Sequence, residues 1–128
     1  MTETHEPDRL NQGGFAAFAA RTGEDAPVVM LNLLRFKPDG GQERYAEYGA
    51  AVTPLLEKAG ARVAFLGEPA LPLLGEGRWD SVLLVEYPTR QAFLDMIASA
   101  EYQAIGHLRT EALEHGELHP MSVADQLS

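Results

Sequence analysis

The run Val28 to Phe36 (VVMLNLLRF) limits the possible folds of this chain more than any other feature. Nine residues rich in β-branched and large apolar types, closed by a Pro-Asp-Gly-Gly turn, predict a strand. Successive strand side chains point to opposite faces. Val29, Leu31 and Leu33 therefore form one face, and Val28, Met30 and Leu34 the other. A strand with one wetted face alternates apolar with polar residues, and this one is apolar on both. The run Arg78 to Tyr87 (RWDSVLLVEY) repeats the pattern, with Leu83 and Val85 on one parity and Val82 and Leu84 on the other. A sheet built from such strands must be covered on both sides.

Helical segments supply one cover. From Gln42 to Gly60 the period changes, and Tyr45, Tyr48, Val52, Leu55, Leu56 and Ala59 fall on one helix face. Pro54 within it removes one backbone hydrogen bond and predicts a kink, and Gly60 is the expected stop. Ala61 to Gly67 reads as a strand, and Glu68 to Gly77, with two prolines and two glycines, as a loop. Pro88 ends the third strand and Thr89 caps a helix with Phe93, Met96, Ile97 and Ala100 on its buried side. A further helical piece runs from about Ala100 to Glu114, with Gly116 as its expected end. Glu117 to Val123 is a last strand, weakened to an edge by Pro120. A leading helix is expected from Pro7 to about Arg21, interrupted by Gly13-Gly14, after a disordered tail over residues 1–7.

The order β-α-β-β-α-β after a leading helix is the ferredoxin-like pattern of the α+β class: a four-stranded antiparallel sheet with helices on one face. The expected division is an N-terminal tail and helix over 1–27, the ferredoxin-like domain over 28–124, and a C-terminal tail over 125–128. The second face of the sheet is expected to bury against a copy of itself, giving a homodimer; the leading helix is the alternative cover.

Composition narrows the partners. Nineteen acidic and ten basic residues give a formal charge of −9, with no basic stripe, so no nucleic-acid partner is expected. The start MTETHEPDRL lacks the basic end and apolar run of a signal peptide, and no apolar stretch approaches the roughly 20 residues of a membrane span. No membrane partner is expected. There is no cysteine, which excludes disulfides and thiolate chemistry and agrees with a cytoplasmic location.

Several segments resemble the family numbered 1330 among domains of unknown function, within the dimeric α/β-barrel superfamily. They are Tyr45-Ala-Glu-Tyr48, Gly60, Glu76-Gly77, Val85-Glu86-Tyr87-Pro88-Thr89, Ser99-Ala-Glu-Tyr102-Gln103 and Arg109. The resemblance runs from Tyr45 to Val123 and, less specifically, back to Val28. It implies a dimer formed sheet to sheet. It implies no particular reaction, since the superfamily holds cofactor-independent monooxygenases, lactone isomerases, polyketide cyclases and heme enzymes.

The residues offer a set of candidates. Asn32 is an amide inside an apolar strand, and burial obliges it to find partners: either a ligand or a neighbouring loop or helix. Trp79 shares its strand parity with Ser81, Leu83, Val85 and Tyr87, and is expected as a pocket wall or as core. Tyr45 and Tyr48 lie on a buried helix face, as core or with hydroxyls in a cavity; Tyr87 and Tyr102 complete the candidate binding set. His107 is a candidate proton carrier or a surface histidine near a helix end. Arg109 is a candidate oxyanion holder or a structural ion-pair member with Glu111 or Glu86, and Glu86 is expected at the dimer interface. The proposed catalytic set is His107, Arg109 and Asn32. His107, His115 and His119 match no standard metal spacing, so no metal is expected, and no cofactor motif is present. Two functions are compatible with this set. One is a cofactor-independent monooxygenase, isomerase or cyclase acting on a small apolar or aromatic carbonyl compound. The other is a non-catalytic ligand-binding or regulatory dimer using the same pocket.

Overall fold

The computed structural model describes residues 10–123. The expected tails over 1–7 and 125–128, and the expected helix start at Pro7, lie outside the described residues. The elements run α1 (Gln12–Ala19), β1 (Val28–Phe36), α2 (Gly41–Lys58), β2 (Arg62–Gly67), β3 (Ser81–Tyr87), α3 (Arg90–Ala98), α4 (Ala100–Ala112) and β4 (Leu113–Ser122). The four strands form one antiparallel sheet in the order β2-β3-β1-β4, the ferredoxin-like arrangement.

β1 and β3 are the inner strands, and β1 alternates buried with half-buried residues along its length. Val28, Met30, Asn32 and Leu34 face the helices. The register places Tyr87, Val85, Leu83 and Ser81 of β3 beside them. Phe18 of α1 joins Val28, Met30, Val85, Tyr87, Phe93 and Met96 in the core, with its ring edge-on to Phe93 at 5.5 Å. The leading helix thus packs on the helical side, against α3, and not over the opposite face of the sheet. That opposite face carries Val29, Leu31, Leu33, Val82 and Leu84, flanked by Phe65 and Met121, both exposed.

Local chemistry sets the element ends. α1 starts at Asn11, whose side chain accepts from the Gly14 amide at 2.8 Å. It is shorter than expected, spanning eight residues. Gly41 opens α2 where an added Cβ would stand 2.6 Å from the Ala112 carbonyl, so only glycine allows α2 to start against the end of α4. α2 continues through Pro54 to Lys58. Thr89 caps α3 through the Ala92 amide. Ser99 ends α3 by donating to the Met96 carbonyl and opens α4 by accepting from the Tyr102 amide.

Two expectations fail at one end of the sheet. The third strand begins at Ser81, not Arg78. Asp80 folds onto the end of β1, its amide donating to the Leu34 carbonyl at 2.7 Å and its carboxylate accepting from the Phe36 amide at 2.8 Å. That pair ends the ladder before Trp79. The last helix stops at Ala112, and Leu113 to Gly116, expected as helix and helix stop, open β4. Leu113 is fully buried opposite Phe36, and this long-range packing overrides local period. β4 is an edge strand, so Pro120 is accommodated as expected.

Candidate functional site

Between the sheet and the pair α2/α4 lies a cavity of about 710 Å³. Its floor is the helical face of the sheet: Met30, Asn32 and Leu34 of β1, with Ser81, Leu83, Val85 and Tyr87 of β3. Its roof is built by periodicity. Tyr45, Tyr48 and Val52 come round every third or fourth residue of α2, and Tyr102, Gly106 and Arg109 do the same on α4. The side toward β2 is open: Val63 and Leu66 line the cavity while 51% and 66% exposed.

The roof is a polar cluster in an apolar setting. The Tyr48 and Tyr102 hydroxyls lie 2.9 Å apart, with rings nearly perpendicular. Tyr45 packs between Phe36 and Tyr48, at 5.5 and 5.4 Å between ring centres. The Arg109 side chain hydrogen-bonds Tyr45. Burial pushes the Tyr45, Tyr48 and Tyr87 phenols above their ordinary range, and for Tyr48 the neighbouring Tyr102 hydroxyl adds to the effect. Arg109 opposes burial at Tyr45 without overcoming it. These phenols are neutral hydroxyls at physiological pH and act as hydrogen-bond donors and acceptors, not as bases.

Asn32 provides the polar point of the floor. It is 8% exposed, and its amide nitrogen donates to the Met30 carbonyl at 3.2 Å and the Leu83 carbonyl at 3.4 Å. Both partners are acceptors only, so the nitrogen must face them. The amide is thus held by its own sheet, not by a loop or helix.

The structure brings together Asn32, Tyr45, Tyr48, Tyr87, Tyr102 and Arg109 around one cavity, and leaves Trp79 and His107 outside it. Trp79 stacks on His115 at 5.4 Å, with Arg35 5.9 Å above its ring. Arg35 and His115 pair across β1 and β4 on the face away from the helices. His107 is exposed on α4. Five residues past Tyr102, it is turned about 140° from the roof-facing stripe, given 3.6 residues per turn. Glu86 pairs with Arg62 at 3.1 Å, and Glu111 with Arg44 at 3.6 Å. His115 and His119 both contact Glu117 on β4. No group suited to holding a metal ion occurs among the described residues. Ser81, a buried floor residue, and the wall residues Val63 and Leu66 line the cavity without having been singled out from sequence. For Ser81 the available signal was a small hydroxyl at the head of an apolar run.

The sequence model described as Domain of unknown function (DUF1330) matches residues 40–118. Among solved structures, a protein of unknown function from Rhodopseudomonas palustris is 32% identical, with a TM-score of 0.84, covering 96% of this chain and 100% of its own. A hydroxynitrile lyase from Passiflora edulis is 13% identical, with a TM-score of 0.63, covering 82% of this chain and all of its own. A dimeric ferredoxin-like protein of unknown function from a Jannaschia species is 14% identical, also at 0.63, covering 77% of this chain and all of its own. At such identities the last two share the fold alone. No curated protein matches the chain. No helix of the described residues is long and apolar enough to cross a membrane.

Proposed function

Because the chain belongs to the DUF1330 family, whose description assigns no reaction, we propose a function from the cavity itself: a homodimer that binds a small apolar or aromatic carbonyl compound in each subunit. The carrying observation is the roof, where Arg109 and hydroxyls held neutral by burial face a largely apolar space. A carbonyl oxygen would accept from these donors while its apolar body packs on Leu34, Val52 and Leu83. The same donors would stabilise the oxyanion of an enolate, which is the basis for a cofactor-independent isomerase, cyclase or monooxygenase. A fold neighbour that is a hydroxynitrile lyase shows this fold carrying an enzyme elsewhere.

The non-catalytic reading has its own support. His107, from sequence either a proton carrier or a surface histidine, is exposed on α4, and the phenols at the cavity are poor bases. Turnover with small aromatic ketones separates the two. The enzyme reading requires a product that disappears in Arg109→Met and persists in His107→Ala. Binding that Arg109→Met weakens, with no turnover of any compound, leaves a binding protein.

The dimer rests on apolar surface that one chain leaves uncovered. The outward sheet face with Phe65 and Met121, and the connection over 68–80 with Leu71, Leu73 and Leu74 exposed, exceed the scattered apolar residues of a monomer surface. Fold neighbours described as dimeric and ferredoxin-like support the same assembly. A cysteine-free chain of this kind suits a reducing cytoplasm.

A further inference from the structure

We infer that the guest of this cavity carries a hydrogen-bond donor, a hydroxyl or N–H group, that docks on the side-chain oxygen of Asn32. The inference rests on the small-molecule reading above and narrows it to hydroxylated or amino-substituted carbonyl compounds.

Asn32 is locked by its nitrogen. The amide group has two hydrogens, and both acceptors within reach of the nitrogen are main-chain carbonyls of the sheet, Met30 and Leu83. What remains for the cavity is Oδ1, an acceptor with two lone pairs. The sheet register shows what surrounds it. Leu83 stands directly across on β3 and Leu118 directly across on β4, while Met30 and Leu34 flank it on β1. None of these side chains can donate. Ser81 is the nearest hydroxyl on the floor, but it sits opposite Leu34. That makes it a diagonal neighbour of Asn32, about 7 Å away and beyond the reach of a short side chain.

A leucine at this position would complete the apolar floor. The chain instead keeps a 92%-buried amide with one acceptor facing a space large enough for a ligand. A guest that covers this acceptor without donating to it leaves it unmatched, a loss of about tenfold or more in affinity. The roof is opposite in sense, since the Arg109 guanidinium only donates. A guest that spans the cavity therefore fits in one polarity: its acceptor end toward Arg109 and Tyr45, its donor end toward Asn32.

The test compares acetophenones that differ only at the ring position remote from the carbonyl. Calorimetric titrations of the wild-type protein would use the 3- and 4-hydroxy, 4-amino, 4-methyl and 4-methoxy compounds, on the acid side of neutrality to keep the phenols protonated. The hydroxy and amino compounds should bind about tenfold tighter or more than the methyl and methoxy ones, the ratio set by one satisfied buried acceptor. Asn32→Leu should abolish or invert that order. Methyl and hydroxy compounds of equal affinity in the wild type would overturn the inference while leaving the pocket reading intact. Failure of every compound to bind counts against the pocket reading, and the inference falls with it. The wild-type series decides the matter even if the leucine variant does not fold.

Discussion

Alkali should unfold this protein through its cavity tyrosines. Tyr48 and Tyr87 are each under a tenth exposed, and burial is the leading cause that raises both phenols. The sign follows from linkage. A group with a folded pKa above its unfolded value stabilises the fold fully below the unfolded pKa, and that stability is lost as pH rises toward the folded pKa. For tyrosine the loss begins near pH 10. At about pH 11 each phenol has forfeited roughly 1.4 kcal/mol, so the two together cost about 3 kcal/mol. At about pH 12 the pair costs about 5 kcal/mol, the lower end of the about 5–15 kcal/mol that domains have to lose, so a cooperative transition is expected near pH 12. Tyr45, also raised by burial, adds in the same direction, though Arg109 limits its share. Tyrosinate absorbance and far-ultraviolet circular dichroism, followed together, give the readout. The phenol signal should lag at first, then rise in step with loss of secondary structure. Tyr48→Phe should be about 1 kcal/mol less stable near pH 8, from the lost bond to Tyr102, and should close that gap near pH 11. Full tyrosine ionisation near pH 10 with an intact dichroism spectrum would refute the reasoning.

Three further outcomes follow from the packing. Arg90→Met should destabilise the fold by about 2 kcal/mol, read as a lower melting temperature. Its side chain is 4% exposed, donates to Ser122 at 3.2 Å and lies 5.4 Å over the Phe18 ring; an unchanged melting temperature would deny it any role in holding α1. Leu31→Asp, on the outward sheet face, should convert the proposed dimer to folded monomers in sedimentation velocity, because a carboxylate at the centre of an apolar interface cannot be paired. A wild-type protein that already sediments as a monomer would sink the dimer reading. Trp79→Ala should leave acetophenone affinity unchanged, since Trp79 stacks on His115 outside the cavity; a large loss would move the site to the other face.

Much of the cavity lining was legible because its parts obey local periods. Tyr45 and Tyr48 lie three apart on a helix, and Tyr102 and Arg109 lie seven apart on the next. Each pair shares a face whatever the tertiary arrangement. Asn32 was conspicuous as the one amide in an apolar strand. Trp79 was misplaced because counting parity back from Ser81 assumes a continuous strand. Asp80 breaks it through two hydrogen bonds to β1, more than forty residues earlier in the chain. The start of β4 was hidden for a similar reason. Leu113 fits the helical spacing of its neighbours, and its burial against Phe36 depends on a strand partner that local sequence does not specify. The polarity of Asn32 was equally out of reach: the residue type announces an amide, but which end faces the cavity depends on carbonyls contributed by two strands.

That polarity bears on how the cavity would sort its guests. In a central strand, main-chain carbonyls of neighbouring residues lie close to an inward-pointing asparagine, and here two of them hold its nitrogen. The sheet thereby converts a side chain that can donate and accept into an acceptor alone. Helices present no such carbonyls sideways, so roof side chains are oriented by one another: Arg109 by Tyr45, Tyr48 by Tyr102. Changing Asn32 should therefore alter which guest is preferred with little effect on the roof. Changing Arg109 should weaken all carbonyl guests alike, because it also releases Tyr45. Selectivity then resides in the rigid strand and affinity in the helices, and a double variant should show the two effects as additive if floor and roof are oriented independently.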